Sequence, residues 1–166
     1  IDETTRHALE IDRTQTGQRK GSLLDAIDRT QTAGGARLLA TQLARPLMDI
    51  SAIDGRLDAI QVLLDHDTLR EDVRRTLKSM PDTDRARSRL RLNRASPRDL
   101  LAMSQGIATV ERLLPMISEP ELSGAALLGD IGASLSGMLE SGLTGLRAHL
   151  QSVMVDDPPL QIADGG

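Results

Sequence analysis

The chain has 166 residues and a net charge of −4, and it contains no Phe, Tyr, Trp or Cys. The missing aromatic residues exclude single-strand binding on an aromatic platform, and the missing cysteines exclude disulfides, thiolate nucleophiles and thiolate zinc sites. The apolar residues are Leu, Ile, Val, Ala and six Met, a set that favours helices over sheets. A chain of this length buries roughly two thirds of its unfolded surface, which is enough for one domain with a core.

Neither targeting nor membrane insertion is indicated. The first three residues, Ile-Asp-Glu, do not resemble a signal peptide, and no apolar run approaches the roughly 20 residues that a membrane span needs. We therefore expect a cytoplasmic chain that does not contact a membrane.

Charge and glycine content divide the chain unevenly. Residues 1–118 hold 19 of the 20 Lys and Arg against 17 acids, whereas residues 119–166 hold one Arg against seven acids, with eight of the fourteen Gly. Neither part has the strongly basic balance of a free-standing nucleic-acid-binding domain. We predict a boundary near residues 115–120, between a helical core, 1–118, and an acidic, glycine-rich segment, 119–166.

Caps and apolar spacing predict short helices in the first third of the chain. Asp2 can cap a first helix that continues to Ile11, and Ser22 can cap a second one. A third helix follows Thr32 and ends before Pro46, because the residue that precedes a proline resists the α conformation.

The middle of the chain continues with helical spacing. A helix at residues 50–64 carries one apolar stripe, formed by Ile53, Leu57, Ile60 and Leu64. Another helix is predicted at residues 69–77. Pro81 suits the first position of the next helix, which ends near Leu92.

Ser96, Pro97 and Asp99 form the clearest helix start in the chain. Ser can cap, Pro suits the first helical position, and the Asp carboxylate complements the helix dipole. This helix is expected to run to Leu114.

A final helix is predicted at residues 133–155, before the prolines at 158 and 159. Its apolar residues are Leu135, Met138, Leu139, Leu143, Leu146, Leu150 and Val153. Its interior Gly137, Gly142 and Gly145 each cost about 0.5–1 kcal/mol relative to Ala, so packing must hold it together. No stretch shows strand alternation, and the predicted fold class is all-α, a multi-helix, bundle-like core.

One hexapeptide, Ile-Asp-Arg-Thr-Gln-Thr, occurs twice, at residues 11–16 and 27–32. A solenoid requires at least three stacked repeats. We interpret the two copies as a chance match or a local duplication.

Seven groups of residues carry a family resemblance, and they follow one another in order along the chain. They are Asp2, Thr5, Leu9 and Glu10; Ser22, Leu23, Asp28, Thr30, Thr32 and Gly35; Arg37, Leu39, Leu43, Pro46 and Leu47; Ile53, Arg56, Leu57, Asp58 and Ala59; Asp82, Asp84, Arg85, Arg89 and Leu90; Arg94-Ala-Ser-Pro-Arg-Asp-Leu100; and Asp157-Pro-Pro with Asp164-Gly-Gly. The order resembles the start of the core domain of the MutS family of DNA mismatch-repair proteins. Ile27 and Thr83 stand where that family has Leu, and Gln42 where it often has Trp.

The resemblance implies a core with long lever helices between an ATPase domain and a DNA clamp, both outside this chain. It implies as partners the remaining domains of the parent chain, a second parent copy, mismatched duplex DNA and a MutL-type protein. The parent family uses ATP and Mg²⁺, but no cofactor is expected in this segment. In the family the clamp follows a segment like residues 157–166, and later helices return to cover the first half. Without them, the final helix is expected to fray or to pair with another copy.

No catalytic, cofactor-binding or metal-binding group is predicted. The mismatch-reading Phe-x-Glu motif cannot occur, and the loop 17–22, Gly-Gln-Arg-Lys-Gly-Ser, places Lys before the second Gly, the wrong order for a phosphate loop. His7, His66 and His149 are far apart in sequence and lack metal-ligand spacing.

One basic stripe remains as a candidate site. Arg87, Arg91, Arg94 and Arg98 would lie on one face of an unbroken helix and could contact phosphates. Ser96 and Pro97 are expected to break that helix, and nearby acids offer partners, so we favour solvated ion pairs. Two functions from other classes stay open beside the mismatch-repair segment: a stand-alone helical adaptor that binds a partner helix, and a weak nucleic-acid-binding domain that uses this stripe.

Overall fold

In the computed structural model, which describes residues 2–155 and 158–159, the chain is helical, and no strand occurs in this described part. The predicted all-α class is confirmed. The helices are α1 (Glu3–Ala8), α2 (Leu23–Ile27), α3 (Ala33–Ala44), α4 (Ile50–Asp65), α5 (Asp67–Lys78), α6 (Thr83–Arg91), α7 (Pro97–Ile117), α8 (Pro120–Ser123), α9 (Ala126–Met138) and α10 (Thr144–Val153). Among the described residues, no helix is long and apolar enough to cross a membrane.

The chain divides into two compact units, Ile1–Asp54 and Gly55–Gly166. The boundary that composition indicates between residues 118 and 119 stays a prediction. Asp157 and the Asp164-Gly-Gly run, which belong to the family resemblance, lie outside the described residues.

The two predicted caps of the first unit, Asp2 and Ser22, are confirmed, and Thr32 caps the third helix in the same way. Asp2, Ser22 and Thr32 each accept a hydrogen bond from the backbone N–H three residues later, at 2.8, 3.2 and 2.9 Å. Each bond satisfies one N–H that has no partner inside the helix. The first helix is shorter than expected and ends at Ala8, because Glu10 takes a left-handed conformation with φ of 49°.

The apolar stripe predicted on α4 lies on an exposed face of that helix. Its four residues are 37–56% exposed: Ile53, Leu57, Ile60 and Leu64. Ala59 is buried instead, and Val62 and Leu63 pack half-buried against the core. The spacing thus identified an apolar face correctly, but the helices packed around α4 determine which face is covered.

The start predicted for α6 was wrong, because Pro81 lies outside the helix. The Asp82 carboxylate caps α6 by accepting a hydrogen bond from the Arg85 N–H at 3.3 Å, so Thr83 is the first helical residue. A capping oxygen satisfies a free N–H at the helix start, whereas a proline at the first position only removes one.

The longest helix, α7, starts as predicted and ends later than predicted. Ser96 and Asp99 form a reciprocal capping box, in which each side chain accepts from the backbone N–H of the other. The helix continues through Pro115 to Ile117, past the expected end at Leu114. A proline this close to the C-terminus removes only one late hydrogen bond, and the buried Ile117 side chain packs in the core, so packing outweighs the loss.

The single final helix predicted at residues 133–155 was also wrong. α9 begins earlier, at Ala126, and a turn of π-type geometry, Leu139–Leu143, separates it from α10. Gly142 has φ of 109° inside this turn, a conformation that side chains strongly disfavour. Apolar spacing continues across the bend, so periodicity could not reveal it.

Within the second unit, α7 is the central helix and packs against α5, α6, α8, α9 and α10. The buried core near its C-terminal end consists of Ala59, Ile117, Leu122, Ala125 and Leu128. Towards its N-terminal half, α7 approaches α6 very closely at Gly106, where an added Cβ would lie 2.4 Å from the Thr83 methyl carbon. Only glycine permits this approach without a shift of the Thr83 side chain or of one helix.

Candidate functional site

The four arginines of the predicted stripe do not lie on one helix. Arg87 and Arg91 belong to α6, Arg94 lies in the connection, and Arg98 is in the first turn of α7. The connection, residues 92–96, is called the elbow below. It reverses the chain at Asn93, which has φ of 52°, before the Ser96 cap starts the next helix. The expected break in the helix is therefore confirmed.

Two of these arginines have partners that account for their positions. Arg87 forms an exposed ion pair with Asp84 at 3.2 Å, within α6. The Arg98 Nε donates to the Pro158 carbonyl at 3.2 Å. Arg91 and Arg94 are exposed and have no ion-pair partner in the part of the chain that the structure describes. Phosphate contact by the stripe stays a prediction.

A fifth arginine, Arg89, holds the elbow together. Its Nη1 donates to both carboxylate oxygens of Asp99, at 3.1 and 3.4 Å. One of these oxygens also accepts from the Ser96 N–H and from the Ser96 hydroxyl, both at 2.8 Å. The last turn of α6 is thereby tied to the capping box of α7, through a carboxylate whose side chain is only 10% exposed.

Electrostatics keep this carboxylate ionised. The hydrogen bond from the Ser96 N–H lowers the pKa of Asp99 most, while burial acts in the opposite direction. The Ser96 hydroxyl and the Arg89 guanidinium lower the pKa further. Several donors thus stabilise the ionised form of Asp99. The carboxylate therefore suits a structural role and not that of a proton donor.

The role of Arg89 was not predicted. The residue lies in the Asp82–Leu90 signature, but its partner is ten positions away across a non-helical elbow. Helical spacing pairs residues three or four apart, so it gives no signal for such a contact. A basic residue in the last turn of one helix and an acidic residue in the capping box of the next are the only hints.

The other candidate groups stay dispersed. No group of three or more His, Cys, Asp or Glu side chains that could hold a metal ion occurs among the described residues. The His66 Nδ1 lies 2.8 Å from the Val62 carbonyl at the junction of α4 and α5, as a structural contact. In the loop 17–22, the Gly21 N–H donates to the Asp25 carboxylate at 3.0 Å. The Gly21 N–H in this loop is therefore already bonded to a carboxylate of the same chain.

Comparison with known proteins places the chain in a family. Residues 4–166 match the family described as MutS domain III. The DNA mismatch repair protein MutS of Caulobacter sp. (strain K31) is 48% identical over 169 residues, and that of Caulobacter vibrioides is 46% identical over 169 residues. The corresponding protein of Cereibacter sphaeroides is 42% identical over 172 residues.

These alignments cover 100% of this chain but only 18–19% of each relative. The chain thus spans about a fifth of the length of the curated relatives it matches. The match runs through the elbow and through all of the helices, and it confirms the resemblance found in the sequence. The chain belongs to the MutS domain III family.

Proposed function

We propose that this chain is the core and lever segment of a MutS-type DNA mismatch-repair protein, in which it couples an ATPase domain to a DNA clamp. The observation that carries the proposal is the match to MutS domain III over residues 4–166. The relatives are named DNA mismatch repair proteins, and the chain corresponds to about a fifth of their length. The ATPase domain and the clamp would belong to the rest of such a protein.

The packing around α7 suits a part that transmits force. A helix of 21 residues is about 32 Å long, from a rise of roughly 1.5 Å per residue. It is fixed near its start by the Arg89–Asp99 contact and near its end by the buried Ile117. Since packed interiors resist compression, a displacement at one end of α7 moves the helices that rest on it.

The remaining activities are assigned to the rest of the parent protein. ATP, Mg²⁺, mismatched duplex DNA, a MutL-type protein and a second parent copy would act through domains outside residues 1–166, in the cytoplasm. A stand-alone adaptor and a nucleic-acid module are not favoured, because the family match extends over nearly the whole chain. Contacts of the exposed Arg91 and Arg94 with phosphates would add at most a weak, salt-dependent attraction.

A chimeric protein tests the lever. In a Caulobacter strain that lacks its own MutS, the corresponding segment of the strain K31 protein is replaced by this chain, and the mutation rate is measured. We expect the chimera to restore a low rate. Gln105 is exposed in the middle of α7. Gln105→Pro should abolish repair, because a proline in a helix interior costs about 3 kcal/mol and bends the helix.

Gln105→Ala is the matched control, since it leaves the helix unbroken, and it should repair like the parent chimera. ATP hydrolysis by the purified chimeras separates loss of coupling from loss of folding, because a folded but uncoupled Gln105→Pro protein still hydrolyses ATP. Normal repair by a folded Gln105→Pro chimera would contradict a lever role for α7.

The segment alone should bind no nucleotide. Its loop 17–22 lacks the order of a phosphate loop, and no acidic cluster suited to Mg²⁺ occurs among the described residues. Isothermal calorimetry of the purified chain with Mg²⁺ and ATP should therefore show no saturable heat. Binding at micromolar affinity would show that the segment itself contributes to the nucleotide site.

A further inference from the structure

The two last helices are anchored to α7 in very different ways. α9 contributes Leu128 to the buried core, and Leu135 packs against that core. α10 lies outside the core cluster, and Leu150 is its only buried residue. The α10 helix is thus docked chiefly on α7, outside the buried cluster that holds α9.

The turn between these helices, Leu139–Leu143, concentrates the change of direction at one residue. None of its side chains is buried. Gly142 has φ of 109°, and a Cβ built there would meet nothing within 4 Å. Glycine is therefore required at this position by the backbone conformation and not by lack of space.

The helices α10 and α7 run antiparallel and are joined by an ion pair near the turn. The Arg147 Nη1 lies 2.6 Å from a Glu111 carboxylate oxygen, with side chains that are 29% and 24% exposed. The Arg147 Nε and the other Glu111 oxygen are buried and have no hydrogen-bond partner among the described residues. A pair that is only partly satisfied holds its two helices together less firmly than a complete network would.

Beyond this ion pair, α10 packs along α7, and the interface between them is incompletely filled on one side. A cavity of about 400 Å³ lies between them and is lined by polar side chains as well as apolar ones, among them Ser104, Gln105 and Gln151. The far end of the segment is held by the exposed Arg98, whose Nε donates to the Pro158 carbonyl. The side chains that line this cavity lack dispersion contacts on the side that faces it.

We propose that α10 is a hinged arm, which swings away from α7 about Gly142 and is latched by the Arg147–Glu111 ion pair. The arm moves as an intact helix, because one glycine absorbs the change in backbone angles and the hydrogen bonds of α10 are internal. α9 keeps its place in the core during this motion. The second unit therefore has a fixed part, up to Met138, and a movable part that begins at Thr144.

Amide hydrogen exchange and spin-label distances test the arm together. We expect Glu111→Gln to raise exchange in residues 144–153 by about tenfold and to leave residues 126–138 unchanged, since a charged hydrogen bond contributes on this order to an opening equilibrium. Asp72→Asn removes an exposed ion pair with Arg75 on α5 and is the matched control, which should change neither region.

The chain has no native Cys, so labels can be placed at will. Ser118→Cys with Ser152→Cys measures the distance from the end of α7 to α10, and Ser118→Cys with Ala133→Cys measures the distance to α9. In the Glu111→Gln variant, the labels at residues 118 and 152 should show a second, longer distance, whereas the labels at residues 118 and 133 should show only one. Equal protection of α9 and α10, with one unchanged distance in Glu111→Gln, would overturn the proposal.

A glycine pair locates the hinge independently of the latch. Gly142→Ala should increase the open population, because Ala disfavours the left-handed φ of the docked arm. Gly145→Ala adds a methyl group in open space inside α10 and should not increase it. Equal effects of the two variants would reject Gly142 as the pivot. This test does not depend on Glu111→Gln, so it still applies if that variant unfolds, which a lower helical circular-dichroism signal would show.

Discussion

The two copies of Ile-Asp-Arg-Thr-Gln-Thr, at residues 11–16 and 27–32, have the same sequence and different structures. In the first copy Ile11 is a core residue, only 6% exposed, whereas Ile27 in the second copy is 43% exposed at the end of α2. In the first copy the Thr14 and Thr16 hydroxyls lie 2.9 Å apart. In the second copy the final threonine, Thr32, caps α3.

The carboxylates that hold the two copies also differ, because the one at the first copy comes from the residue before it. Asp28 accepts from the Thr30 N–H at 3.0 Å and from the Thr30 hydroxyl at 2.7 Å, and it also pairs with Arg19. In the first copy the corresponding region is organised by Glu10, whose carboxylate accepts from the Gln15 N–H at 2.8 Å.

The flanking residues explain the difference. The first copy follows Glu10 in a left-handed conformation and precedes Gly17 with φ of 79°, so the chain turns on both sides. The second copy begins inside α2 and precedes Ala33, which starts a helix. Six identical residues therefore adopt the conformation that their neighbours and the local core allow.

The largest difference between the copies should appear at isoleucine. Ile11→Ala should destabilise the first unit by about 2–4 kcal/mol, because it removes buried methyl groups and leaves a cavity. Ile27→Ala removes a side chain that is already half in water and should cost less than about 1 kcal/mol. Urea unfolding of the purified chain, followed by circular dichroism, measures both values. Equal losses would mean that the two isoleucines are not in different environments.

The final threonines should differ less. Thr32→Ala removes the cap of α3 and should cost about 1 kcal/mol. Thr16→Ala, at the same position of the first copy, breaks an exposed contact between two hydroxyls and should stay within roughly 0.5 kcal/mol. The same unfolding experiment decides the point, and a Thr16→Ala variant as unstable as Thr32→Ala would show that capping is not what distinguishes the copies.

The smallest effect concerns pH. Hydrogen bonds from the Thr30 hydroxyl and N–H lower the pKa of Asp28 below its ordinary value of 3.8, with Arg19 adding to the effect. A lowered pKa in the folded state contributes stability above pH 3.8, which is lost as the pH falls through the lower folded value. Asp28→Asn should therefore flatten the decline in stability below that pH.

Asp12→Asn is the control from the first copy, and it should keep the decline, since Asp28 is still present. Urea midpoints measured between pH 2.5 and 6 compare the three proteins. A decline in Asp28→Asn as steep as that of the parent chain would show that other carboxylates cause it.

Local chemistry made several features of the fold predictable. The caps at Asp2, Ser22 and Ser96 were predicted correctly, because each depends on an oxygen and an N–H only three residues apart. The break in the arginine stripe was found for the same reason. The order of family-like segments also indicated MutS domain III, which the comparisons confirm.

Contacts between distant parts of the chain decided the rest. The buried face of α4, the passage of α7 through Pro115 and the Arg89–Asp99 contact all depend on partners that sequence spacing does not identify. The bend at Gly142 belongs to the same group, since apolar residues continue on both sides of it. Caps and turns are short-range interactions that a few residues determine, whereas burial and long-range ion pairs depend on where the whole chain places its helices.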